Sequence, residues 1–124
     1  MSTPRSRAQL DALTILRNQL RGFAAERDWN QFHSPKNLAM ALTVEAAELL
    51  ELFQWLTEEE SCSLSPEKLS AARQEMADVL LYLIRLADKL DINLIAAAER
   101  KLSENAKKYP VEKARGNSKK YTDY

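Results

Sequence analysis

Two serine-proline pairs, Ser34-Pro35 and Ser65-Pro66, each open a long run that contains neither glycine nor proline. A serine hydroxyl caps a helix and proline fits its first turn, so each pair signals a helix start. Behind each pair, apolar residues return at spacings of three and four, and no useful stretch alternates as a half-buried strand would. Such a chain is confined to an all-α architecture, and four segments share it. The first extends from about residue 6 to residue 27, with Leu10, Leu13, Leu16, Leu20 and Phe23 along one stripe. The second runs from Pro35 to about Thr57, and the stretch TEEESCSLS is a polar connection to the third, which ends near Leu90. Asp91 is placed to cap a fourth, INLIAAAERKLSENAKKY, which stops before Pro110. The remaining VEKARGNSKKYTDY is basic and aperiodic, and reads as a tail that a ligand or partner would order. The expectation is a single domain over residues 1–124, a four-helix bundle with a basic C-terminal tail from about residue 110.

Composition removes several function classes. Lysine plus arginine and aspartate plus glutamate number 18 each, so no global field draws nucleic acid or an anionic membrane to the chain. Neither is expected as a partner. The only glycines are Gly22 and Gly116, which excludes a Walker loop and a GxGxxG fingerprint. One cysteine, Cys62, cannot form an internal disulfide, and no Cys/His spacing suggests zinc. The N-terminal residues lack the apolar run of a signal peptide, and no stretch reaches the length of a membrane span. The chain reads as cytoplasmic.

The chemistry lies in carboxylates. On a helical wheel centred on Leu38, the residues Leu42, Leu49, Leu52 and Leu56 fall within about 40° of it. Glu45 sits about 20° from the centre of that stripe, and Glu48 lies about 60° further round. On the third segment Ala72, Met76, Val79, Leu83 and Leu90 define the stripe, Glu75 borders it and Asp78 lies further out. Each segment thus offers two acids at i, i+3, which face one side. A buried, unpaired carboxylate costs several kcal/mol or takes up a proton, and converging acids repel. A divalent cation removes both costs, and hard oxygen ligands suit Mg²⁺, with Mn²⁺ as a substitute. Surface acids in i, i+3 pairs are commonplace singly; the repeated pairing and Glu45 inside the stripe favour a metal site made of Glu45, Glu48, Glu75 and Asp78. A di-iron bundle would need Glu-x-x-His on two helices, and the single histidine, His33, excludes it.

The stretches RDWNQFHSPKNLAMALTVEAAELLELFQW, RQEMADVLLYLIRLA, KYP and SKKYT together resemble the MazG-like all-α nucleotide pyrophosphohydrolases, in particular the dCTP pyrophosphatase branch. The likeness spans about residues 23–122. It implies an enzyme that converts a nucleoside triphosphate, dCTP or a modified dCTP in this branch, to the monophosphate and pyrophosphate with Mg²⁺, as nucleotide-pool house-cleaning. Glu45, Glu48, Glu75 and Asp78 match the family's metal-binding acids. The family often has two adjacent glutamates at the first position, where Val44 precedes Glu45 here. A histidine in the first helix of the animal dCTP enzymes helps line the base pocket, and Leu20 stands at that position.

On this reading Glu48, angled further from the core than Glu45, is the catalytic base. The resemblance makes Trp29, Trp55 and Tyr82 base or sugar contacts, and Asn105 matches a position near the site. His33 precedes a helix start, where it either donates to substrate or caps local backbone. Lys36 and Asn37 lie at that helix N-terminus, a mild anion site. Lys108, Arg115, Lys119 and Lys120 can grip phosphates. The apolar surface left by so short a chain calls for self-association, and the resemblance implies a homotetramer, a dimer of dimers with sites shared between subunits. Two alternatives compete: a related enzyme acting on dUTP or broadly on nucleoside triphosphates, and a non-catalytic helical interaction module.

Overall fold

The protein's structure, a computed structural model, describes residues 10–124. Four long helices carry it: α1 (Ala12–Glu26), α2 (Pro35–Glu51), α3 (Pro66–Lys89) and α4 (Leu94–Lys108). No strand occurs among the described residues, and no helix there is long and apolar enough to cross a membrane. The all-α expectation holds. The chain divides into two compact units, one through Asp91 and one from Ile92 onward.

The starts of α2 and α3 follow the sequence reading. Ser34 Oγ accepts the backbone N–H of Asn37 at 3.1 Å, and Ser65 Oγ that of Lys68 at 3.2 Å, each with proline in the first turn. The first helix starts later than expected. Asp11 caps it, accepting from Thr14 N at 2.8 Å, while residues 6–9 of the expected segment lie outside the described residues. The second stops at Glu51 rather than at Thr57. Thr57 belongs to the next turn, where it forms a capping box with Glu60 and starts the short helix Glu58–Ser61 inside the expected polar connection. Asp91 does not cap α4. It takes a positive φ of 54° just beyond α3, and Asn93 caps α4 by accepting from Ala96 N at 3.0 Å.

In the first unit α3 packs against both α2 and α1. Residue 33 meets residue 85, and Glu45 meets Glu75, so α2 and α3 run antiparallel. Ala24, Leu38, Ala72, Ile84 and Ala87 form the buried core. The expected stripe on α3 is only partly buried: Met76 is 59% exposed, and Leu83 and Leu90 face solvent too. Two neighbours rather than one cover α3, so its second half is enclosed from several sides and buries Ile84, Arg85 and Ala87 instead.

The end of α1 positions the first aromatic of the site. Asp28 adopts the left-handed conformation with φ 53°, Trp29 N–H bonds to Ala24 O at 2.9 Å and Asp28 N–H to Ala25 O at 3.2 Å. This is a Schellman ending, and its hydrophobic partner is the edge-to-face contact of Trp29 with Phe23, centroids 5.5 Å apart.

In the second unit, the expected tail has its own structure. A short helix, Val111–Ala114, follows Pro110, and Tyr121 and Tyr124 both pack edge-on against Tyr109, at centroid distances of 5.9 and 6.0 Å. Three aromatic rings supply the apolar contact that the absence of periodicity hid.

Candidate functional site: an acidic cluster beside an aromatic cavity

The i, i+3 acids of α2 converge on α3. Carboxylate oxygens of Glu45, Glu48 and Glu75 lie within 4.8 Å of one another. Glu45 and Glu75 are half-buried, and each has one oxygen, Oε2, that is buried without a hydrogen-bond partner. Contact with the Glu75 carboxyl pushes the Glu45 pKa up, and burial and the charges of Asp78 and Glu75 add to this, against a lowering contact with Glu48. Orphaned, buried oxygens within a cluster of three carboxylates are the environment that a hard divalent cation relieves, so the donor set fits such an ion.

Asp78, the fourth expected acid, stands apart from this trio. It lies in the wall of an adjacent cavity of about 220 Å³. Leu20, Phe23 and Ala24 of α1, Trp29 and His33 of the α1–α2 connection, and Leu81, Tyr82 and Arg85 of α3 complete that wall. Asp78 therefore joins the two features: it is one of the residues that line the cavity, and its charge is felt at Glu45. A flat apolar slot with a few polar groups, opening beside clustered acids, suits a planar ring attached to a charged group.

Of the residues expected at a site, the structure brings Glu45, Glu48 and Glu75 together, and separately gathers Trp29, His33, Asp78 and Tyr82. Trp55 is not among the residues of this cavity; it follows the end of α2 and is 86% exposed. Lys36 is exposed in the first turn of α2. The Asn37 side chain donates to Phe32 O at 3.0 Å, which fastens the 3₁₀ turn Asn30–Phe32 to the helix start. Asn105, Lys108, Arg115 and Lys120 belong to the second unit. There Asn105 is half-buried, Lys108 Nζ lies 5.0 Å from the Tyr121 ring centre, and Arg115 and Lys120 are exposed.

The sequence reading missed Arg85, which is 4% exposed in the cavity wall. The signal was present: Arg85 is the one charged residue in the run VLLYLIRLA. A lone arginine amid apolar residues needs buried acceptors.

The raised Glu45 pKa has a consequence for stability. A group whose folded pKa lies above its unfolded value stabilises the fold below the unfolded value and loses that contribution as pH rises through the folded one. At neutral pH without a cation, ionised Glu45 therefore burdens the fold. Glu45→Gln is expected to raise the melting temperature in chelator at neutral pH, and to shrink the further rise that a divalent cation gives the native protein. Calorimetry with and without the ion checks both.

Known proteins are similar to this chain in sequence and in fold. The MazG-like family model matches residues 40–124. The dCTP pyrophosphatase 1 proteins of Homo sapiens and Bos taurus are each 47% identical to the chain over 103 residues, 82% of this chain and 61% of theirs. The chain thus spans about 61% of the length of the curated relatives it matches. The crystal structure of a pyrophosphatase from Archaeoglobus fulgidus DSM 4304 superposes with a TM-score of 0.77 at 40% identity, covering 82% of this chain and 95% of that one. With its family match over most of its length, and with relatives this similar, the chain belongs to the MazG-like family.

Proposed function

We propose that the chain is a pyrophosphohydrolase that converts dCTP or a modified dCTP to the monophosphate and pyrophosphate. The observation that carries this reading is the cluster of Glu45, Glu48 and Glu75, with two orphaned buried oxygens, beside an aromatic cavity that Asp78 helps to wall. The similarity to dCTP pyrophosphatase 1 supports the choice of base. On this proposal residues 1–124 act as one MazG-like domain, in the cytoplasm, in nucleotide-pool house-cleaning.

Glu45, Glu48, Glu75 and Asp78 would hold Mg²⁺, or Mn²⁺ in its place. The bound ion would neutralise triphosphate charge and polarise phosphate oxygens. Glu48 is the general base, taking the proton of the attacking water at a carboxylate oxygen. Glu45 is less suited to that role because its carboxyl is engaged with Glu75. The base sits between Trp29 and Tyr82 with His33 in reach, and the apolar walls exclude water from the ring. The family resemblance supports assigning Lys108, Arg115, Lys119 and Lys120 to the phosphates and Asn105 to a position near the site, and Lys36 and Asn37 are proposed for the anion-binding start of α2.

Self-association is part of the proposal. Leu69, Met76, Leu80 and Leu83 fall on one face of α3 and are 49%, 59%, 38% and 37% exposed. Met40 and Val44 add exposed apolar area on α2. A stripe of this kind marks an interface between proteins. A homotetramer built as a dimer of dimers would cover it, and would let exposed Trp55 reach the base site of a neighbouring subunit.

Pyrophosphate release from a panel of deoxynucleoside and nucleoside triphosphates, with Mg²⁺ and with chelator, tests the reading. The expected result is metal-dependent release of pyrophosphate and monophosphate, with dCTP and its 5-substituted forms leading. If dUTP or all bases are cleaved alike, the branch assignment fails and Leu20, in the cavity wall, is the first residue to change. Release from no nucleotide, by folded and assembled protein, would leave a non-catalytic helical interaction module.

A further inference from the structure

A buried guanidinium stays ionised and has only donors to offer. Arg85 satisfies each of its nitrogens from a different residue. Its Nε donates to His33 Nδ1 at 3.1 Å, one Nη donates to Asn30 Oδ1, and the other lies 3.5 Å from Asp88 Oδ2. Arg21 of α1 donates to both oxygens of Asp88, at 2.8 and 2.5 Å. Three elements thus hold Arg85 in one place: α1 through Asp88, the α1–α2 connection through Asn30 and His33, and α3 itself.

The contact with His33 has a chemical consequence. An arginine N–H needs a lone pair opposite it, so His33 Nδ1 must be unprotonated. A neutral imidazole then carries its proton on Nε2. Burial holds the His33 pKa below the ordinary imidazole range, and the charges of Arg85 and Lys89 lower it further. Both rings that frame this corner are fixed: the His33 ring lies edge-to-face with Trp29, centroids 6.2 Å apart. With Nδ1 taken by Arg85, Nε2 is the ring nitrogen left for a ligand in the cavity.

We infer that Arg85 is a positioning residue for base recognition, which locks His33 in the neutral Nε2–H tautomer so that the cavity offers a hydrogen-bond donor to an acceptor atom on the nucleobase. The inference rests on the proposed function for the cavity's occupant; the Arg85–His33 contact does not. A fixed donor selects its ligand more sharply than a freely titrating imidazole does. A base with a carbonyl oxygen or bare ring nitrogen at that point gains a bond, and one with an N–H there leaves two donors opposed and desolvated.

The chain has one histidine, so ¹⁵N-labelled protein gives a single pair of imidazole nitrogen resonances. In the full chain near neutral pH, Nδ1 is expected to be unprotonated and Nε2 protonated, with a ¹⁵N–¹⁵N coupling across the hydrogen bond from Arg85 Nε. Absence of the coupling, or a proton on Nδ1, overturns the inference without any variant. Arg85→Met is similar in reach but has no donor. It is expected to let the proton exchange between both nitrogens and to raise KM for the preferred nucleotide about tenfold, the order of one lost hydrogen bond, with kcat changing far less. Arg85→Lys, which restores a donor, is expected to recover part of both signals. An unchanged KM in Arg85→Met, once the tautomer is lost, overturns the recognition role. Hydrolysis of no nucleotide with the coupling present overturns the proposed function, and base recognition with it. That outcome is distinct from a failure of the Arg85 contact, in which hydrolysis persists and the coupling is missing.

Discussion

Glu48→Gln and Asp78→Asn are each expected to reduce pyrophosphate release by about 10³-fold or more while leaving the helical circular dichroism spectrum unchanged. Loss of a general base alone accounts for about 10²–10⁴-fold, and loss of a metal-holding carboxylate adds to it. Both substitutions keep volume and reach, remove the charge and replace one acceptor oxygen with an amide donor. Glu48 has an oxygen within 4.8 Å of those of Glu45 and Glu75, so the change reduces repulsion in the cation-free protein and should not unfold it. Asp78 walls the aromatic cavity and acts on Glu45 through its charge, so its loss should be felt in catalysis before stability. The check is initial rate against nucleotide concentration for each variant, together with the melting-temperature rise that Mg²⁺ produces. Retained turnover in both variants would remove the metal-site reading. Lost turnover with an undiminished Mg²⁺ shift would move the ion to other ligands.

Glu45 was legible because it violates a rule at a place where the rule is strong. A carboxylate in the middle of a leucine stripe has few inexpensive explanations, and the structure gives it a buried oxygen with no hydrogen-bond partner. The serine-proline starts were legible for a similar reason, since caps act within one turn and need no tertiary context. The Glu51 end of α2 was not, because Leu52 and Leu56 continue the apolar period past the point where the helix stops. Periodicity reports which side is buried, not whether the backbone is still helical. The buried side of α3 was also misread, since a wheel assumes one neighbour and α3 has two. The left-handed residue Asp28 carries no glycine to announce it, so the Schellman ending that seats Trp29 was silent in the sequence. Arg85 is the sharpest case. Its partners Asn30 and His33 are more than fifty residues away and only the packing of the helices brings them to it, while Asp88 lies one turn along α3.

The same network predicts the largest loss of stability. Asp88→Asn is expected to cost about 3 kcal/mol, because it leaves the Arg85 charge buried without its counter-charge. In a unit of this size that lowers the melting temperature by on the order of 10 °C. Arg21→Gln breaks the shorter contact to Asp88 but should cost far less than Asp88→Asn, since the Arg21 side chain is 51% exposed and water screens it, whereas that of Arg85 is 5% exposed. Distance ranks the two pairs one way and burial the other, and burial should decide. Acid provides a second reading. The Arg21 contact first, then the charges of Arg21, Arg17 and Arg85, hold the Asp88 pKa below the carboxylate range. A depressed folded pKa stabilises above the unfolded value of about 3.9 and loses that contribution as pH falls through the folded one. His33 acts in a higher window. Its folded pKa is also depressed, so the unfolded chain takes up the proton first below about 6.5, and stability declines from there until the folded imidazole protonates. In urea unfolding from pH 8 to pH 3, His33→Gln should remove the decline that starts below about 6.5. Asp88→Asn should shrink the decline below about 3.9, to which the depressed carboxyls of Asp11 and Glu60 also contribute, while Glu45 acts in the opposite sense. If Arg21→Gln costs as much as Asp88→Asn, the surface pair carries the stability and Asp88 is not what balances Arg85.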